Sequence, residues 1–321
     1  MTDEPGHGSS LTRLLIVGCT HLGRQAAPEP EVAMNALVAR LASWEPDVIT
    51  IEALPGEQVA MMRDLGGPYA DLRVGGFPHA IACAEASAFT GDLWAARRAG
   101  GDARLPRAHR IDAWAAAYEP HTALLLAAGR PEDVDGLALG LTEALVALRD
   151  AGTEAWRVAG AVAMERGLER LHPFDDHTHW AAFTDEDETP LVALMEAASP
   201  VAQQKPGYRL GEEVVARTLG SDDLWEQWRP LNTPEAGAAL EELESGTWLE
   251  LPGHEPIARK QLAGWHARNL LMAGHLRRVT GDHPGGRVMA LVGSSHKRPL
   301  EIALARGQRD VEIVDVAELD D

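Results

Sequence analysis

The stretch LLIVGCTH, residues 14–21, decides the fold of this chain. Four apolar residues, Leu14 to Val17, read as a buried strand that breaks at Gly18 and presents His21 three residues later. The same pattern returns near the other end as VMALVGSSH, residues 288–296, where Gly293 breaks the strand and His296 follows. In a parallel sheet both histidines would emerge on the carboxyl rim, where open α/β sheets place their chemistry.

Outward from the first motif, Met34, Leu37, Val38 and Leu41 recur at helical spacing between Ala33 and Trp44. Pro46 ends that helix, and DVITIE, residues 47–52, is rich in β-branched residues and reads as a second strand. Strand, helix and strand make a βαβ unit, which implies a parallel pair. Further strands are expected over 168–174, 287–292 and 311–316. Helices are expected over 57–65, 79–99, 113–128, 132–151 and 153–166, punctuated by Gly and Pro. More helix follows within 190–250, with Trp225 and Trp228 clamping it. From Pro256 to Thr280, one face carries Leu262, Trp265, Asn269, Met272, Leu276 and Val279. A last helix is expected from Leu300.

The predicted fold is therefore α/β, with a mostly parallel central sheet flanked by helices. Helical insertions at about 57–167 and 185–250 are expected to cover the carboxyl edge of the strands. A single domain is expected over 12–321, behind a disordered tail of residues 1–11.

A formal charge of −20, from 29 basic against 49 acidic residues, argues against nonspecific nucleic-acid binding and against docking on anionic membranes. The two cysteines, Cys19 and Cys83, are too few for a disulfide framework. Residues 1–12 carry no basic and then apolar leader, and no run approaches a membrane span, so a cytoplasmic location is expected. No heptad pattern sets an oligomeric state.

Four expected strand ends carry groups able to do chemistry: His21, Glu52, the run Asp175-Asp176-His177, and His296. Imidazoles and carboxylates converging on one point suit Mn, Zn or Fe as a divalent metal that activates water. The metal-free alternative is a histidine general base oriented by a carboxylate. Gly18 and Gly293 let the backbone turn sharply in either case. The N–H groups of Cys19, Thr20, Ser294 and Ser295 are candidates to face a developing oxyanion. Ser295 as a nucleophile lacks the G-x-S-x-G elbow. Arg268, beside the apolar stripe of the long helix, is a candidate for binding substrate or a carboxylate. His172 is expected to pack. His79, His109, His121, His254, His266, His275 and His283 have no partner spacing and are expected to be structural. No phosphate-cradling glycine motif occurs.

With these residues in hand, the chain resembles the TraB/TIKI superfamily, which takes in erythromycin esterases and ChaN-like haem-binding proteins, and looks closest to a bacterial branch of it. The matching stretches are LLIVGCTHLG (14–23), PDVITIE (46–52), AWRVAGAVAMERGLERLHPFDDHTHW (155–180), RNLLMAGHLRRV (268–279) and GGRVMALVGSSH (285–296). The resemblance implies an α/β core with a helical insertion over a metal-dependent hydrolase site. It implies His21, Glu52, His296 and Arg268 as catalytic residues. His21, Glu52, Asp175, His177 and His296 are then the candidate metal ligands. The expected activity is hydrolysis of an ester or amide in a small-molecule or peptide substrate. The alternative is a non-catalytic ligand-binding protein, with haem as the ligand, or a pseudoenzyme on the same fold. Cys19 stands where the family's first motif often carries threonine, and the membrane anchor of TIKI proteins is not expected here.

Overall fold

The structure is a computed structural model that describes residues 11–24, 29–70, 72, 76–218 and 221–320. The expected disordered tail therefore lies outside the described residues, apart from Leu11. Five strands form one sheet: β1 (Thr12–Cys19), β2 (Val48–Ile51), β3 (Leu171–Pro173), β4 (Arg287–Gly293) and β5 (Val311–Val314). Their order is β3-β2-β4-β1-β5, and every pairing is parallel. The two histidine motifs thus end neighbouring strands. Cys19 pairs with Gly293, so the glycine breaks are staggered by one residue.

Alternation along the strands assigns each residue to a face. Leu15, Val17, Ile49, Ile51, Met289 and Leu291 join one core with the helix Glu31–Ser43 and much of the first helical insertion. Leu14, Ile16, Val48, Val288, Ala290 and Val292 join the other. That second face is covered by Met272 and Leu276 of the long helix Glu255–Asp282 and by Leu300 and Leu304 of the helix Ser294–Ala305. Central strands apolar on both faces suit a parallel sheet between two helical layers. No helix among the described residues is long and apolar enough to cross a membrane.

The expected helices form, with differences that have local causes. The span 79–99 divides into Phe77–Ala86 and Leu93–Gly101, because Asp92 accepts the Ala95 amide at 2.7 Å and caps the second helix. The span 113–128 divides into Arg107–Ala116 and Pro120–Leu126 around Tyr118, which adopts φ 58°. The helix expected from Glu132 begins at Leu139, after the short turn Pro131–Asp133. The helix expected from Leu300 starts at Ser294, so His296 lies in its first turn rather than in a loop. Pro299 sits one turn further in and forfeits one backbone hydrogen bond without ending it. Trp228 is fully buried and donates Nε1–H to Thr20 at 3.1 Å, tying the second insertion to the end of β1.

Candidate active site

A cavity of about 710 Å³ opens at the carboxyl ends of β1, β2 and β4. His21, Glu52, Asp175, His177, Arg268 and His296 all line it, so every catalytic and ligand candidate from the sequence shares one space. The two insertions close it from above: His79, His121 and Glu154 come from the first, and Glu244 from the second.

Two glycines make the convergence possible. A Cβ built on Gly293 would lie 3.2 Å from both Glu52 Oε2 and His21 Nε2. These two groups therefore meet over the same bare Cα. A Cβ on Gly18 would approach Ser294 Cα to 3.0 Å, which is where the chain leaving β4 crosses β1. Asn232 clamps Gly18 from the second insertion, accepting its N–H at 2.7 Å and donating to its carbonyl at 2.7 Å.

Arg268 organises the carboxylates. Its Nε donates to Asp175 Oδ1 at 2.8 Å, and its Nη2 donates to Asp175 Oδ2 at 3.0 Å and to Glu52 Oε1 at 2.9 Å. Glu52 also accepts the Gly293 amide at 2.7 Å. Burial disfavours charge on both acids, but the outcomes differ. Asp175 has two bonds to Arg268 and one to His177, and its carboxyl is held well below the usual carboxylate range. Glu52 is pushed up, by burial first and then by the Asp175 charge, against the pull of Arg268, His21 and the Gly293 amide.

His21 stands on the loop after β1, with Nδ1 2.8 Å from Glu154 Oε1. The other Glu154 oxygen accepts the Leu22 amide at 3.0 Å, which fixes the carboxylate. Burial works against the Glu154 charge, yet the bonds to His21 and to backbone amides outweigh it and hold the carboxyl below its ordinary value. A carboxylate on Nδ1 orients an imidazole so that Nε2 faces the chemistry.

His296 is buried and stacks on Trp265 with ring centroids 4.3 Å apart. Its Nδ1 lies 2.7 Å from Asn269 Oδ1, while the Asn269 amide group donates to the Trp265 carbonyl at 2.8 Å. That arrangement places the hydrogen on Nδ1 and the lone pair on Nε2, which lies 3.7 Å from Glu52 Oε1. Burial, followed by the Arg268 charge, pushes the His296 pKa well down, so the ring is neutral.

The run Asp175-Asp176-His177 divides. His177 Nε2 sits 3.1 Å from Asp175 Oδ2 on the cavity wall. Asp176 turns away and bonds Gln58, Thr178 and, at 3.4 Å, His275. Cys19, inside the first motif, is buried with Sγ 3.1 Å from the Val292 carbonyl oxygen. Burial and the Glu154 and Glu52 charges push its thiol well up, which suits packing and not nucleophilic attack.

Four lining residues escape a reading of the sequence. Glu154 and Glu244 sit in helical stretches with no strand before them. His79 and His121, expected to be structural, line the cavity instead. Burial lowers the pKa of His79, and that of His121 falls to about 4 through burial and the neighbouring His79. Burial raises the carboxyl of Glu244, against a hydrogen bond from Ser295. The only available signal for the histidines was their position in the insertion expected to cover the site.

The expected metal ligands His21, Glu52, Asp175, His177 and His296 do not fit a resident divalent ion. Arg268 lies between Glu52 and Asp175 and already supplies the cation that both carboxylates share. Among the described residues no group of three or more His, Cys, Asp or Glu side chains is disposed to hold a metal. Haem fits no better: a flat macrocycle needs largely apolar walls, and Glu52, Glu154, Asp175, Glu244 and Arg268 face this space.

Comparison of the chain with family models, curated proteins and solved structures finds no match.

Proposed function

We propose that the protein hydrolyses an ester or amide bond, with water activated by His21. The meeting of His21 Nε2 and Glu52 Oε2 over Gly293, each 3.2 Å from the same point, carries this reading. Glu154 accepts the Nδ1 hydrogen of His21, which makes Nε2 the nitrogen that takes up a proton. When Nε2 takes a proton from water, the Glu154 carboxylate stabilises the imidazolium.

The resulting hydroxide adds to the carbonyl carbon, and the carbonyl oxygen gains negative charge. Two positive features adjoin the cavity: Arg268 and the N-terminal turn of the helix Ser294–Ala305, whose first amides have no intrahelical partner. His21 then returns its proton to the leaving oxygen or nitrogen, giving an acid and an alcohol or amine. Arg268 and the Gly293 amide position the Glu52 carboxyl, with the His296 Nε2 lone pair 3.7 Å away. Asp175 fixes Arg268. No step requires a metal. The TraB/TIKI resemblance, carried by the quoted stretches alone, implies the same class of reaction.

The test is turnover of chromogenic ester and anilide substrates by the wild type, His21→Ala and Glu154→Gln. Loss of a general base costs about 10²–10⁴-fold in rate, so His21→Ala should fall by that order and Glu154→Gln by less. Wild-type turnover no greater than that of His21→Ala would overturn the proposal.

A further inference from the structure

The charges around the cavity specify what it can accept. Glu52, Glu154, Asp175 and Glu244 line it, against Arg268 as the one arginine or lysine among its lining residues. Arg268 commits Nε and Nη2 to Asp175 and Glu52. Glu154 accepts the Nδ1 hydrogen of His21. His79, His121 and His296 have lowered pKa values, so their rings add no positive charge near neutrality. Glu244, on the turn Glu242–Gly246, has the hydroxyl of Ser295 as its hydrogen-bond partner. Among the described residues that line the cavity, no uncommitted arginine or lysine would receive an anionic substrate.

A second feature points the same way independently. His177 is 6% exposed and lines the cavity, and its Nδ1 is buried with no hydrogen-bond partner. With Nε2 donating to Asp175, Nδ1 is the ring nitrogen left to accept. Buried acceptors without donors are costly, and a ligand N–H would relieve this one.

We propose that the substrate carries a protonated amine close to the scissile acyl group, and that Glu244 is the residue that selects it. This rests on the hydrolase reading for the bond cut, but the charge preference can be measured without turnover. Glu244 lies beside Ser295, one residue before His296, so an ammonium paired with it stands within the same cavity as His21 and Glu52. The cationic group supplies the missing counter-charge, and electrostatic complementarity then sets specificity.

The experiment uses the full chain and three matched acyl groups, L-alanine, N-acetyl-L-alanine and N-succinyl-L-alanine, each as its p-nitroanilide and its methyl ester. These are cationic, neutral and anionic at the same position. The wild type should prefer the cationic member over the neutral one by about tenfold or more in kcat/KM, and disfavour the anionic one. In Glu244→Gln the preference should collapse through KM. Equal or better use of the neutral or anionic member, or an unchanged preference in Glu244→Gln, overturns the inference.

Calorimetric binding of L-alaninol, 1,2-propanediol and 3-hydroxy-2-methylpropanoate, which are cationic, neutral and anionic at the same carbon and hold no ester or amide bond, separates the two claims. Selective binding of L-alaninol that is lost in Glu244→Gln supports the inference even if no substrate turns over. In that event the hydrolase reading alone falls. Absence of selective binding together with absence of turnover overturns both.

Discussion

Arg268 grips Asp175 with two parallel hydrogen bonds, 2.8 Å from Nε to Oδ1 and 3.0 Å from Nη2 to Oδ2. The pair joins the long helix to the segment leaving β3, and the same Nη2 reaches Glu52 beyond the end of β2. One guanidinium thus bridges two buried carboxyl groups that would otherwise repel. Breaking such a buried pair from one side costs about 3–5 kcal/mol, because the partner charge is left uncompensated. Arg268→Ala should lose stability of that order in urea denaturation. Arg268→Lys should recover only part of it, since an ammonium cannot span both oxygens of Asp175 while holding Glu52. A lysine variant as stable as the wild type would contradict the bidentate arrangement.

Gly293→Ala separates catalysis from folding. The added methyl would lie 3.2 Å from Glu52 Oε2 and His21 Nε2, closer than ordinary contact. Both neighbours are side-chain ends that can give way, so the fold should tolerate the change. The two groups, however, must move apart. Activity should fall by about tenfold or more, since small misplacements of reacting groups are costly, while the melting temperature shifts by only a few degrees. Full activity in a folded Gly293→Ala protein would place the chemistry elsewhere.

Asn232→Ala removes both hydrogen bonds to Gly18 and a third, 2.8 Å, to the Trp228 carbonyl. The amide and carbonyl of Gly18 would lose their side-chain partner at the point where β1 hands over to the loop that carries His21. Each buried polar group left unsatisfied costs about 1–3 kcal/mol. A loss of about 2–4 kcal/mol is expected in chemical denaturation. A change below half a kcal/mol would require a new partner for Gly18.

Stability should decline in mild acid. Burial pushes the pKa of His121 down to about 4 and that of His172 down to about 3, the latter helped by Arg170 and His283. An unfolded histidine titrates near 6.5, so below that pH the unfolded chain binds protons that the folded one refuses. Stability is therefore full above about pH 6.5 and falls as pH drops toward 4, by roughly 1.4 kcal/mol per pH unit for each such histidine. Asp175, held low by Arg268, adds its own loss only below about pH 3.9, where the unfolded aspartate takes up a proton. Glu52 has the opposite sign: its raised pKa makes ionisation costly, so its contribution weakens as pH rises through the folded value. Thermal melts between pH 8 and pH 4.5 check the net slope, which should be shallower in His121→Gln and His172→Gln. A melting temperature flat across that range would show that these rings accept protons while folded.

The strands were legible because burial alone dictates them. A run such as Leu14 to Val17 has no solvent-compatible face, and only the interior of a parallel sheet accepts it. The glycine breaks, with a histidine three residues on, then placed His21 and His296 on one rim. Helix interruptions were harder to read. The division at Asp92 depends on one side chain capping a backbone amide, and that at Tyr118 on a single positive φ. Neither disturbs the apolar periodicity enough to be seen.

By itself, then, the sequence determined the strands, their mostly parallel sense and the rim on which His21, Glu52, Asp175 and His296 stand, since periodic burial and chain breaks are local properties. The tertiary structure alone decided what each group is paired with. His21 takes Glu154 from 133 residues away, and Arg268 bridges Glu52 and Asp175, two of the groups that the sequence offered as candidate metal ligands. Such pairing depends on distance and desolvation in three dimensions, and no spacing along the chain encodes either.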